Sequence, residues 1–154
     1  MKKTVALLLV IVFGVQLRVS AVGGKDAEYI GGTVSAIPER TEGKVSVADE
    51  KLFSFDYKKG RLGIPYDRVN SLEYGQKAGR RVGVAIVVSP IALFSKKRKH
   101  YLTVNFLDDN NKQQAAVLEL GKDIIRVTLS ALEARTGQKI EYQDDEAKKT
   151  SRGN

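Results

Sequence analysis

The chain has no cysteine and no tryptophan, and a single histidine among its 154 residues. Without cysteine there is no thiol nucleophile, no disulfide and no thiolate for the common structural zinc sites. A domain of about 110 residues can bury a core without such staples. Without tryptophan, the strongest aromatic anchor at a membrane interface is missing. His100, the lone histidine, borders a lysine run, and no nearby carboxylate is spaced to orient it as a base. As a metal ligand it would need carboxylates from distant positions, so it reads as a surface or strand-end residue.

Other chemical motifs are missing too. Gly31-Gly32 is not followed by a lysine-serine or lysine-threonine pair ahead of a helix, which excludes a phosphate loop. Ser20, Ser35 and Ser89 lie in no nucleophile elbow. Asp108-Asp109-Asn110-Asn111 lacks the glycine and the later glutamate of a calcium loop, and reads as a turn. Asp144-Asp145-Glu146 reads as a solvated run. The expectation is of no enzyme, with a small hydrolase or metal-binding enzyme as the remote alternative, of no cofactor and no metal site, and no small-molecule substrate is identified.

Acidic residues are absent from one long stretch. Residues 75–107 carry seven basic side chains and no acid. Lys77, Arg80 and Arg81 precede the apolar run 82–94, and Lys96, Lys97, Arg98 and Lys99 follow it. Residues 1–21 hold three of the 26 basic residues and no acid, so beyond them 23 bases face 18 acids, a net of +5. Without the seven bases of 75–107 the balance is 16 to 18, so the whole positive excess has one local source. A local source points to a local contact surface rather than to general affinity for nucleic acid. Single-stranded nucleic acid would also want interleaved aromatics, and only Phe94 and Tyr101 lie close.

Residues 1–21 read as a signal peptide. Lys2 and Lys3 start it, Thr4 to Leu17 is mostly apolar, and Val19-Ser20-Ala21 offers small residues for cleavage. Its apolar part is shorter than the roughly 20 residues of a membrane-spanning helix. Arg18 and Gln16 weaken the pattern, and an uncleaved anchor is the other reading. An exported location, periplasmic or secreted, follows as the expectation.

Residues 22–28 read as a polar lead-in, and from Tyr29 the pattern is that of strands. These are 29–37, with Gly31-Gly32 allowing a bulge, then 44–47, 52–57, 61–66, 69–74, 101–106 and 114–120. Pro65 suits an edge or a strand end. Residues 122–136 read as a helix, with Ile125, Leu129 and Leu132 on one stripe and Gly137 placed for the C-cap. Ile140-Glu141-Tyr142 extends back onto the body, and 143–154 reads as a disordered, charged tail.

Some seven antiparallel strands followed by one C-terminal helix, over residues 29–142, resemble the pleckstrin-homology-like superfold, including its GRAM-like and bacterial versions. Three pieces carry the resemblance: the hairpin 43–55 with Leu52-Phe53-Ser54-Phe55; residues 60–72, where Ile64-Pro65-Tyr66 leads into Val69 and Leu72; and 118–137, a last strand feeding the helix. The resemblance implies a mainly β barrel capped by the helix, and a binding or scaffolding role. Such domains commonly bind phosphoinositides, other lipid head groups or peptides. Their usual phosphoinositide site uses bases on the first hairpin loops. Here 38–44 offers Arg40 and Lys44 but also Glu39 and Glu42, a departure from that pattern.

The insert 75–100 is long for a connection in a small domain. In one reading its apolar run forms core strands and the flanking bases are solvated ends. In the other it projects toward a bilayer interface with Arg80, Arg81, Lys96, Lys97, Arg98 and Lys99 at the head groups. The expected partner is an anionic lipid or a protein.

Overall fold

A computed structural model describes residues 25–76 and 99–152. The signal-peptide expectation for 1–21 and most of the insert, 77–98, lie outside the described residues. The strands are β1 (Lys25–Gly32), β2 (Thr41–Ser46), β3 (Leu52–Tyr57), β4 (Gly60–Pro65), β5 (Val69–Gly75), β6 (Tyr101–Leu107), β7 (Gln113–Leu120) and β8 (Ile140–Tyr142). The helices are α1 (Ile125–Thr136) and α2 (Asp145–Arg152), with short 3-10 turns at Tyr66–Arg68 and Lys122–Ile124.

All eight strands form one sheet in the order β4-β3-β2-β1-β7-β6-β5-β8. Seven pair antiparallel, and β8 joins β5 in parallel, so the sheet is mixed rather than antiparallel throughout. The extra strand is possible because α1 carries the chain back along the sheet before β8 begins, the kind of crossover a parallel pair requires. The ladder has two ends, β4 and β8. Pro65 closes β4, where the missing N–H removes no interior ladder bond.

Inward residues from both ends of the sheet meet in one core cluster. Phe53 and Phe55 of β3, Ile64 of β4, Leu72 and Tyr74 of β5, and Leu118 of β7 share it with Ile125, Leu129 and Leu132 of α1. The predicted stripe is therefore the buried face of α1, with Thr128 beside it. Full burial of a leucine such as Leu132 contributes about 2 kcal/mol. Gly137 ends α1 in the left-handed conformation, φ 69°, and its N–H returns to the Glu133 carbonyl at 3.1 Å. That geometry favours glycine.

Two sequence expectations need correction. The first strand starts at Lys25 and ends at Gly32, so 25–28 is strand rather than lead-in and 33–37 is loop. Lys25–Glu28 is mostly polar, but its main chain pairs with β2 along its length and with β7 from Ala27 onward, and ladder bonds do not depend on side-chain polarity. The expected bulge does occur, as a register shift between Tyr29 and Gly31. The tail is also ordered in part, since Asp145–Arg152 is helix. Asp144 Oδ1 accepts the Ala147 N–H at 2.7 Å, acids fill the first turn of α2, and Lys149 and Arg152 fill the last. This cap and charge order suit the helix dipole. Ala147 and Ser151, four residues apart, are the buried contacts of α2. A face of small residues gives little apolar signal in the sequence.

Candidate functional site

The basic clusters of the insert start from neighbouring strand ends. Gly75 at the end of β5 pairs with Tyr101 at the start of β6. The residues that lead into Lys77, Arg80 and Arg81, and those that lead out of Lys96, Lys97 and Arg98, thus begin side by side at one end of the sheet. Of the six candidate contact residues, Lys99 is the described one. Its Nζ lies 2.7 Å from Glu119 Oε2, and both side chains are about a quarter exposed, 22% and 24%. Arg80, Arg81, Lys96, Lys97 and Arg98 lie outside the described residues.

The register at this end builds an acidic row that the sequence spacing hides. Glu42 of β2 faces Glu28 of β1, Glu28 faces Glu119 of β7, and Glu119 faces Tyr101 of β6. Like charges directly opposite on adjacent strands repel. Arg40, at φ 61°, brings its Nε to 3.5 Å from Glu28 Oε1, and Lys99 holds Glu119. Arg40, expected as a hairpin-loop base, is thus engaged with an acid of its own sheet. The carboxylates line a concavity of about 440 Å³ together with Gly43 and Gly121. Burial pushes the Tyr101 phenol up to about 12, with Glu119 and Glu28 adding to the effect and Arg40 opposing it.

His100 is a strand-end residue, as expected, but it is buried rather than on the surface. Its Nδ1 is 2.8 Å from the Tyr74 hydroxyl, with the two ring planes nearly parallel at 4°. Its carbonyl accepts the Leu120 N–H at 2.7 Å. Burial holds the imidazole below its ordinary pKa, helped by Lys122 and opposed by Glu119. Burial also pushes the Tyr74 phenol up to about 12, Tyr142 adding to it. Both groups are therefore neutral near pH 7, and the pair locks the start of β6 to the end of β5. His100 is not among the residues lining the 440 Å³ concavity.

A second concavity, of about 290 Å³, lies at the opposite end of the sheet between β4 and the β6–β7 turn. Arg68 beside it donates to the Asp108 carbonyl at 2.8 Å and to Asn111 Oδ1 at 3.3 Å. The Asp108–Asn111 segment is the turn the sequence suggested. Asp108 Oδ1 accepts the N–H groups of Asn110 and Lys112, both at 2.9 Å, and Asn111 takes φ 58°. Those N–H bonds, with the Gln114 amide, hold the Asp108 carboxyl below its usual range.

Among the described residues no group of three or more potential ligands could hold a metal ion, and no helix is long and apolar enough to cross a membrane. In comparisons with known proteins, no family model matches the chain and no curated protein matches it.

Proposed function

We propose that the chain is an exported, non-enzymatic binding or scaffolding module of the pleckstrin-homology-like kind, and that it contacts an anionic lipid surface electrostatically through the bases of 80–99. The element order supports the fold assignment: β1–β4 form one meander and β5–β7 a second, β1 joins them by pairing with β7, and α1 follows. Closure of that sheet into a barrel is part of the proposal. The observation that carries the lipid reading is the Gly75–Tyr101 pairing, which roots two basic clusters at one end of one strand pair. Each base near an anionic membrane contributes about 1 kcal/mol, so five beyond Lys99 supply several before screening. Lys99, held by Glu119, contributes least.

The test is flotation of the mature protein with vesicles containing anionic lipid. At low salt the protein should float, and raising the ionic strength should release it as the Debye length shortens. Replacing Arg80, Arg81, Lys96, Lys97 and Arg98 by Gln should leave it in the soluble fraction. A wild-type protein that stays soluble at low salt with anionic vesicles sinks this reading. That result would favour a soluble interaction domain that presents the same bases to an acidic protein partner.

A further inference from the structure

The seam between β4 and the β6–β7 turn is bordered by a free strand edge. Lys58 and Lys59 join β3 to β4, and Tyr57 pairs with Gly60 across them. A two-residue turn makes that first pair a hydrogen-bonded one, and hydrogen-bonded pairs then alternate along an antiparallel ladder. Gly60, Leu62 and Ile64 therefore direct their N–H and C=O groups to β3. The N–H and C=O groups of Arg61 and Gly63 point the other way, as does the Pro65 C=O. β4 ends the ladder, and no hydrogen bond among the described residues reaches those groups. Gly60, Arg61 and Gly63 are exposed. The edge is thus wet and unpaired, and at Gly63 it has no side chain to hold off another main chain.

The 290 Å³ concavity runs along this edge, at Leu62, Gly63 and Pro65. Its apolar lining is the margin of the core: Phe106 belongs to the core cluster, and Val34 and Leu62 pack against it. Its charged groups are Arg68, Asp108 and Asp109. Arg68 is turned to the Asp108 carbonyl and to Asn111. The Asp108 carboxylate accepts the N–H groups of Asn110 and Lys112 and the Gln114 amide. Asp109 is exposed, and no ion pair among the described residues engages it.

We infer that this seam is a peptide-binding site. An extended segment of a partner protein adds to β4 as a further strand and pairs with Arg61 and Gly63. It sets an apolar side chain against Val34, Leu62 and Phe106, and a lysine or arginine toward Asp109. Three observations select that occupant. The first is the hydrogen-bond row. Arg61 and Gly63 offer donors and acceptors at the two-residue repeat of a strand, the pattern that another extended main chain matches. The second is the concavity beside that row, which is open to alternate side chains of an added strand and lined in part by core residues. The third is charge. Two carboxylates line the site against one guanidinium that is already engaged, so a base is favoured over an acid. Pro65 closes the edge and Arg61 charges it, devices that hinder long edge-to-edge pairing and still admit a short strand. The site lies at the opposite end of the sheet from the Gly75–Tyr101 pair, so it does not depend on the lipid reading.

The probe is a capped hexapeptide that alternates valine and lysine, added in excess to the full mature protein without vesicles. Amide exchange is read residue by residue by nuclear magnetic resonance. The Arg61 and Gly63 N–H groups should slow by about tenfold or more, while those of Leu62 and Ile64, already bonded to β3, change little. A peptide with glutamate in place of lysine should bind at least about tenfold more weakly, although the protein's net positive charge favours it elsewhere. Two further peptides carry N-methyl groups at the valines or at the lysines. Only alternate N–H groups of an added strand face β4, so one of the two should lose about tenfold or more in affinity and the other little. Asp109→Lys should weaken the lysine peptide by about tenfold. Gly63→Pro, which removes an edge N–H and no bond to β3, should do the same. If Gly63→Pro fails to fold, the methylated pair gives that reading on the unaltered protein. Unchanged exchange at Arg61 and Gly63 overturns the inference, as does equal binding of the lysine and glutamate peptides or of the two methylated ones. Edge protection in the peptide-free protein that vanishes on dilution assigns the edge to a second copy and overturns it too.

Discussion

The half of the sheet made by β2, β3 and β4 and the half made by β1, β7, β6 and β5 share one core but differ on their other face. In β2 the outward Glu42 and Lys44 are exposed while Val45 is buried, and in β4 only Ile64 is fully buried. In β6 six consecutive residues, Tyr101 to Phe106, are buried. A half-wet strand alternates in burial, whereas a strand covered on both faces does not. β2 and β4 thus keep one wet face, β3 buries Phe53, Ser54 and Phe55 in succession, and β6 is buried on both faces. The candidate contact region lies where β5 and β6 reach their shared end.

The largest effect should come from charging the two outward faces in turn. Val117→Asp would bury an unpaired carboxylate at a fully buried position of β7 and should cost at least about 3 kcal/mol in denaturant unfolding. Lys44→Ser on the open half should stay within about 0.5 kcal/mol. Equal, small effects would show that the far face is open after all.

His100 sharpens the same contrast through pH. Its folded-state pKa lies below the unfolded value of about 6.5, because burial opposes the charge. On acidification the unfolded chain therefore takes up the proton first. Its contribution is fully present above about pH 6.5 and declines as the pH falls below that value, by at most about 1.4 kcal/mol per unit. Melts between pH 7 and pH 5 should show a drop in Tm that is smaller in His100→Gln. Identical slopes would place the imidazole in water.

Arg135 is the tie between α1 and the open half. Its Nη1 donates to the carbonyls of Val47 and Asp49 and, at 2.9 Å, to the Tyr66 hydroxyl, and its guanidinium lies 5.3 Å from the Tyr66 ring centre. Arg135→Ala should cost about 1 kcal/mol. Hydrogen exchange should rise in the β2–β3 turn and not in β6 or β7 if the two halves open separately.

The smallest effects concern ion pairs. A double-mutant cycle on Lys99 and Glu119, both about a quarter exposed, should give a coupling up to about 1 kcal/mol. The same cycle on Arg61 and Asp56, exposed by 63% and 37% on the open half, should give no measurable coupling at moderate salt.

Much of the element list was legible because it depends on neighbours in sequence. The hairpin of Leu52-Phe53-Ser54-Phe55, the α1 stripe of Ile125, Leu129 and Leu132, the Gly137 cap and the Asp108–Asn111 turn are all set by residues within a few positions of one another. The misreadings have a different origin. Lys25–Glu28 is held as strand by two distant partners, and α2 by a local cap and small contacts with little apolar signal. His100 looked like a surface residue because the lysines before it are polar, yet Tyr74, 26 positions away, is its hydrogen-bond partner. The acidic row could not be seen either, since Glu28, Glu42 and Glu119 become neighbours only through two strand registers.

By itself the sequence determined a mainly β chain with a closing helix, the absence of thiol chemistry, and a single local source of positive charge. Those follow from composition and from periodicities of two and 3.6 residues, which are local properties. Only the tertiary structure decided which strands lie inside, that β8 joins the sheet in parallel, and that the basic clusters leave from adjacent strand ends. Each of these depends on pairing between residues far apart in the chain, and the alternation along a single strand carries no record of its partners or of what covers its second face.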